Sequence, residues 1–148
     1  IRYPKGAARQ VPEEEVGRGL AARVARVGSS DVAILAVGKM LGPSLKAAEL
    51  LAESGNDVTV WDVRSCAPLD QTMIDDAARR RLVVTVEDGI REGGIGMSIA
   101  ADIATRNTST HVEILGVPTK FLPHAKPDRL LSQIGLDAEG IAAVVSGR

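Results

Sequence analysis

A nearly continuous apolar stretch in the middle of the chain runs from Leu82 to Val86 and reads Leu, Val, Val, Thr, Val. Five such residues without polar alternation predict a strand that is buried on both faces, as in a parallel sheet with helices on each side. Glu87, Asp88 and Gly89 are predicted to end this strand. Glycines within residues 93–96 then predict a turn into a helix, so exposed chemistry is expected at the carboxyl end of the strand, where open α/β sheets place their sites.

Strands and helices alternate along the rest of the chain. Segment 20–27 fits either a short edge strand or a helical turn, and the strand is favoured. Further strands are predicted over 31–38, 57–63 and 111–116, and helices are predicted to begin near Gly42, Asp70, Ile95, Pro127 and Ala138. Asp70 is expected to be the N-cap of its helix. A strand–helix–strand unit requires parallel pairing with a right-handed crossover. The pattern therefore predicts an α/β fold, a three-layer open and mostly parallel sheet with helices on both faces.

Composition narrows the class of protein. The 148 residues are 45% hydrophobic and only 2% aromatic, which predicts a globular core of aliphatic side chains. The formal net charge of −1 does not predict a broad basic surface that would bind nucleic acid or an anionic membrane. No apolar run approaches the ~18 residues of a membrane span. The single cysteine, Cys66, excludes an intrachain disulfide and fits a reducing cytosol. Because the chain begins at Ile1 rather than Met, we interpret it as a piece of a longer polypeptide.

Two glycine turns are candidates for phosphate binding. Gly38 and Gly42 follow a strand, but their spacing matches neither the dinucleotide fingerprint nor a P-loop. The glycines at 93, 94 and 96 precede a helix, and helix N-termini attract anions. The acidic residues beside them would repel a phosphate, so the favoured interpretation is a tight turn in which glycine allows two backbones to approach.

Candidates for nucleophilic or acid–base chemistry are few. His111 is expected at the surface at the start of a strand, and His124, in a loop between prolines, is the better functional candidate, although a plain loop is favoured. Cys66 has no neighbouring histidine and is expected to be a small buried hydrophobe. Lys39 and Glu87 are predicted at strand ends and could face one shared edge.

Two cations lie near the first turn of the chain. Arg2 and Lys5 belong to the segment Arg-Tyr-Pro-Lys-Gly, and arginine can hold a phosphate with its planar fork of donors. A solvated tail is the favoured interpretation when this segment is considered alone.

Several motifs, taken together and in order, resemble the carboxyl-terminal, transketolase-like domain of the 1-deoxy-D-xylulose-5-phosphate synthase family. The first six residues resemble the IRYPRG segment that closes the middle domain of that family. The others follow in the expected order and cover essentially the whole chain: 31–38, 68–70, 86–96, 116–124 and 135–141. The resemblance implies that residues 1–12 are the tail of a pyrimidine-binding domain and its linker, and that 13–148 form the transketolase C-terminal-like domain.

The resemblance also implies an activity for the whole protein. In this family pyruvate and D-glyceraldehyde 3-phosphate condense with loss of carbon dioxide, using thiamin diphosphate and Mg²⁺, in a cytoplasmic homodimer that supplies the non-mevalonate isoprenoid route and thiamin biosynthesis. The cofactor and the metal are bound by upstream domains of the same protein, so this transferase fragment is expected to be inactive alone. The resemblance assigns no catalytic, cofactor-binding or metal-binding residue here.

The resemblance carries one binding residue over to this chain. Arg2 matches a position that contacts the substrate phosphate, whereas Lys5 replaces the family's usual arginine. His124 and Lys5 are expected at the edge of the site, and Ala125 stands where a glycine often follows the histidine.

Two other functions remain open. One is a docking and dimerisation domain of a transketolase or of a 2-oxo-acid dehydrogenase β subunit, against which the segment 1–6 argues. The other is a free-standing nucleotide-binding domain, which the missing fingerprint disfavours.

Overall fold

A computed structural model describes residues 10–106 and 109–147 of the chain. Its centre is a sheet of five strands: β1 (Arg23–Arg26), β2 (Val32–Ala36), β3 (Thr59–Asp62), β4 (Leu82–Ile90) and β5 (His111–Val117). The strands lie in the order β1-β3-β2-β4-β5. β2, β3, β4 and β5 are parallel, and β1 runs antiparallel to β3 at one edge. The prediction of an open, mostly parallel sheet is confirmed, as is the choice of strand for segment 20–27.

Five α-helices connect and cover the strands: α1 (Leu41–Glu53), α2 (Gln71–Ala77), α3 (Ile95–Ala104), α4 (Pro127–Gln133) and α5 (Ala138–Ser146). Single 3₁₀ turns form at Glu13–Glu15 and at Gly38–Met40. Each predicted helix is present within a few residues of its expected start.

The core has two halves, one on each face of the sheet. All five residues of β2 are buried, because β2 is the middle strand and helices cover both of its faces. Val32 and Ile34 belong to the apolar cluster of α1 and α5, whereas Ala33 and Leu35 belong to that of α2 and α3. The three-layer arrangement predicted from the sequence is confirmed.

Asp70 ties the start of α2 to the chain that precedes β1. Its carboxylate accepts hydrogen bonds from the N–H groups of Thr72 and Met73, which confirms the predicted N-cap. It also accepts one from the N–H of Ala22 at 2.8 Å. Burial acts to raise the pKa of Asp70, but the three backbone donors outweigh it and hold the pKa below its ordinary value.

β4 is longer than predicted. The acidic pair was expected to end it, yet the strand continues through Glu87 and Asp88 to Ile90, and Ile90 pairs with Val117 of β5 beyond an irregularity. The physical reason is that Glu87 stays inside the protein, where its carboxylate has a hydrogen-bond partner on the next helix.

Candidate functional site

The carboxyl ends of the four parallel strands form one edge, which we call the carboxyl edge. It consists of the segments that follow β2 (37–40) and β3 (63–70), the end of β4 with its turn (87–94), and the loop after β5 (118–126). The chain leaves β2 for β3 on one side and returns past β2 to β4 on the other. The gap between the ends of β2 and β4 is therefore the topological switch point, where ligands bind in open α/β sheets.

The glycine turn after β4 encloses a carboxylate of the protein itself. Glu87 is only 6% exposed, and its Oε1 accepts a hydrogen bond of 2.9 Å from the N–H of Gly96 in the first turn of α3. A buried carboxylate needs such a donor, and a helix N-terminus favours negative charge. The position that a phosphate would take in this turn is thus occupied by Glu87.

The turn has no room for side chains around that carboxylate. A Cβ on Gly94 would lie 2.4 Å from Glu87 Oε1 and 2.1 Å from the carbonyl oxygen of Ile90. A Cβ on Gly96 would lie 2.5 Å from the hydroxyl oxygen of Thr85. The interpretation as a tight turn is confirmed, because glycine is needed here for close approach.

An ion pair crosses the switch point. Lys39 Nζ, after β2, lies 3.2 Å from Asp88 Oδ2 on β4, and both side chains are about two-fifths exposed. Lys39 and Glu87 were expected to face one edge, and both lie at it, but the partner of Lys39 is Asp88. The Lys39–Asp88 pair spans the gap in which a doubly wound protein would hold its ligand.

A second polar link joins the turn after β4 to the loop after β5. Glu92 accepts hydrogen bonds from the Thr119 hydroxyl at 2.8 Å and from the Thr119 N–H at 3.1 Å, and Arg91 Nε donates to its other oxygen at 2.8 Å. The Thr119 hydroxyl and then Arg91 lower the pKa of Glu92 from 4.5 to about 2.

Arg64, two residues after the end of β3, is not among the residues predicted from the sequence. Its φ of 57° lies in the left-handed region, which non-glycine residues rarely adopt and which is enriched at functional sites. Its guanidinium donates to the carbonyl of Ala21 at 2.6 Å and rests on Gly17, where a Cβ would lie 2.2 Å from Arg64 Cζ. Arg64 therefore holds the segment before β1 at the carboxyl edge.

The remaining candidates are not brought into one site. His111 lies at the opposite, amino end of β5 and is exposed as expected, with Glu113 as its partner at 2.8 Å. His124 is exposed in the loop before α4. Arg2 and Lys5 lie outside the described residues.

The interpretation of Cys66 as a buried hydrophobe is wrong, because its loop leaves the thiol exposed. Desolvation and then the Glu87 carboxylate raise the pKa of Cys66, which disfavours the reactive thiolate.

The switch point and the glycine turn do not fit a metal or a diphosphate cofactor. Between 10 and 106 and between 109 and 147, no three carboxylate, imidazole or thiol side chains are grouped so as to hold a metal ion. The one helix N-terminus that opens from a glycine-rich turn already holds Glu87. None of the helices in these ranges combines the length and hydropathy of a bilayer span.

The arrangement matches a known family. Residues 20–141 match the family described as transketolase, C-terminal domain. The chain belongs to this family. A transketolase C-terminal domain is also what the solved structures indicate: a split-gene transketolase chain, solved as an inactive β4 tetramer, superposes with a TM-score of 0.79 at 25% identity over 96% of this chain and 46% of that one. A transketolase mutant from Pichia stipitis, at 14% identity and a TM-score of 0.65 over 86% of this chain, shares the fold.

Curated relatives agree with the resemblance seen in the sequence. A 1-deoxy-D-xylulose-5-phosphate synthase of Magnetococcus marinus is 35% identical over 98% of this chain. One of Synechococcus sp. (strain JA-2-3B'a(2-13)) is 41% identical over 96% of it. The matched region is 24% and 22% of the length of these relatives, so this transketolase C-terminal domain spans about a quarter of them.

Gly96→Ala is expected to destabilise the fold by ~1–3 kcal/mol, because the added methyl group collides with Thr85 and with Ile114 Cγ2, 2.6 Å away. Gly42→Ala is the matched control, since Gly42 lies in α1 with no atom near the added Cβ, and it should stabilise by ~0.5–1 kcal/mol. Urea unfolding of both variants measures the difference. Equal stabilities of Gly96→Ala and the parent chain would contradict the close approach at this turn.

The Glu92–Thr119 link is expected to give a pH-dependent contribution to stability. Because the pKa of Glu92 falls from 4.5 to about 2 on folding, the contribution is full above pH 4.5, declines as the pH falls and is lost below about 2. The difference in urea midpoint between the parent and Glu92→Gln should follow this curve, and Thr119→Val should move the Glu92 titration, followed by NMR, towards 4.5. A difference that is constant from pH 2 to 7 would exclude this coupling.

Proposed function

We propose that the chain is the carboxyl-terminal domain of a 1-deoxy-D-xylulose-5-phosphate synthase. The observation that carries the proposal is an identity of 35–41% to such synthases along 96–98% of the chain, on the transketolase C-terminal fold. The whole protein would condense pyruvate with D-glyceraldehyde 3-phosphate and release carbon dioxide. Thiamin diphosphate, with a divalent ion such as Mg²⁺, would serve it as the group that stabilises a carbanion.

The described residues support a structural role for this domain. The glycine turn holds Glu87, the switch point is crossed by the Lys39–Asp88 pair, and the described ranges contain no metal-ligand group. We assign the cofactor and the metal to upstream domains of the same protein, as the resemblance to the synthase family implies. The domain would support the site and the dimer from outside, in the cytoplasm.

For the activity of the whole protein, substrate phosphate is the ligand that we assign to this chain, through Arg2. Support comes from the segment that follows it: Arg64 and Asp70 fasten residues 21 and 22 at the carboxyl edge. Arg2 lies about twenty residues before this attachment, next to Lys5. His124 and Lys5 are proposed at the edge of the same site.

A docking and dimerisation module of a transketolase-type assembly is the second candidate. The likeness to the split-gene transketolase, solved as a β4 tetramer, favours it, although 25% identity is below that of the synthases. A pull-down with the subunit-binding domain of an acyltransferase tests the 2-oxo-acid dehydrogenase version of this candidate.

Cofactor binding is expected to distinguish the whole protein from this domain alone. Calorimetry with thiamin diphosphate and Mg²⁺ should give tight, saturable binding to the protein with its upstream domains and no tight binding to the 148-residue chain, and only the former should release carbon dioxide from pyruvate. Mass spectrometry of the undigested natural protein checks that the upstream polypeptide is attached. Tight cofactor binding by the 148 residues alone would overturn the assignment.

Arg2→Ala in the whole protein is expected to weaken binding of glyceraldehyde 3-phosphate by ~1.5–3 kcal/mol, the range for a charged hydrogen bond. The KM for that substrate should rise by ~10–150-fold, while carbanion formation from pyruvate remains nearly unchanged. Arg18→Ala, which removes an arginine elsewhere in the same segment, is the control and should leave the KM unchanged. An unchanged KM in Arg2→Ala would exclude the phosphate contact.

A further inference from the structure

A cationic cavity lies beside α4, at the end of the loop that follows β5. It measures about 500 Å³ and is lined by Pro123, His124, Ala125, Lys126, Arg129 and Gln133. This volume lies within the range of about 300–1,000 Å³ that is typical of small-molecule binding sites in proteins. We call it the α4 pocket.

The side chains of the α4 pocket converge because of helical geometry. Lys126 is the residue that caps α4, and Arg129 and Gln133 follow at intervals of three and four residues, which places them on one face of the helix. The preceding loop adds the imidazole of His124. Four different hydrogen-bonding side chains thus line one cavity.

The charge of the α4 pocket is not compensated. Its lining has two permanent cations and no carboxylate. The neighbouring Asp128 lines a different cavity, between α1 and α5. Within the described residues, neither Lys126 nor Arg129 takes part in an ion pair, whereas Lys39, Arg80, Arg91 and Arg106 all do. The positive charge is therefore available to a ligand.

We propose that the α4 pocket binds the phosphate group of a small molecule. Arg129 can hold two phosphate oxygens with its planar fork, Lys126 adds a point charge, and Gln133 and His124 can donate hydrogen bonds to the remaining oxygens. The glycine turn cannot serve this purpose because Glu87 occupies it. The proposal rests on these side chains, of which only His124 was also assigned to the edge of the substrate site of the whole protein.

The test is a titration of the 148-residue chain with inorganic phosphate and with inorganic pyrophosphate, followed by amide NMR at constant ionic strength set with chloride. We expect saturable shifts in residues 123–133, with tighter binding of pyrophosphate. Arg129→Gln should weaken binding at least tenfold, and Arg129→Lys should fall between this variant and the parent because it keeps the charge but loses the fork.

The matched control is Arg79→Gln, which removes the same charge from an exposed arginine at the end of α2 and should leave the affinity within twofold of the parent. An equal loss in Arg79→Gln and Arg129→Gln would mean general attraction of anions and would overturn the proposal. Shifts spread over the whole surface, or no saturation by 20 mM pyrophosphate (roughly a millimolar site or weaker), would also overturn it. Neither result bears on the cofactor experiment, so the two proposals fail separately.

Discussion

The carboxyl edge depends on one buried charge. Glu87 lies inside the protein because its carboxylate meets the N–H of Gly96, and that hydrogen bond joins β4 to the start of α3. The residues around it must be small, which accounts for the glycines at 94 and 96. Because the bond allows β4 to continue past the acidic pair, Asp88 and Glu92 reach their partners on the neighbouring segments. A turn that looks suited to a phosphate is thereby a fixed part of the framework.

The sequence predicted those parts of the fold that depend on local pattern. The continuous apolar run Leu82–Val86 indicated a doubly covered strand, and Asp70 was recognised as a cap, because burial and capping leave periodic or positional signals. It did not predict that β4 continues to Ile90, because the partner of Glu87 lies nine residues away across a turn. The left-handed backbone of Arg64 and the exposure of Cys66 are set by tertiary context and leave no signal in the pattern. The candidate site was accordingly predicted only in part.

The described residues show that the switch point of this doubly wound domain is not open to a ligand. The Lys39–Asp88 ion pair crosses the switch point. The Glu87 carboxylate occupies the N-terminus of α3, where an anion could otherwise bind. The hydrogen bonds and ion pairs described at the carboxyl edge hold its loops in place. What such an edge gives to a larger protein is a rigid surface, since each loop on it has a partner on a neighbouring strand or loop.

The attachment of the segment before β1 has a consequence for distance. With Gly17 lying against Arg64 and Ala22 bonded to Asp70, the covalent path from Arg2 to the carboxyl edge is about fifteen residues long. A fully extended chain of that length spans at most roughly 50–54 Å. Any domain that precedes this one is therefore attached at the strand ends, and the length of this connection sets its effective concentration at the carboxyl edge.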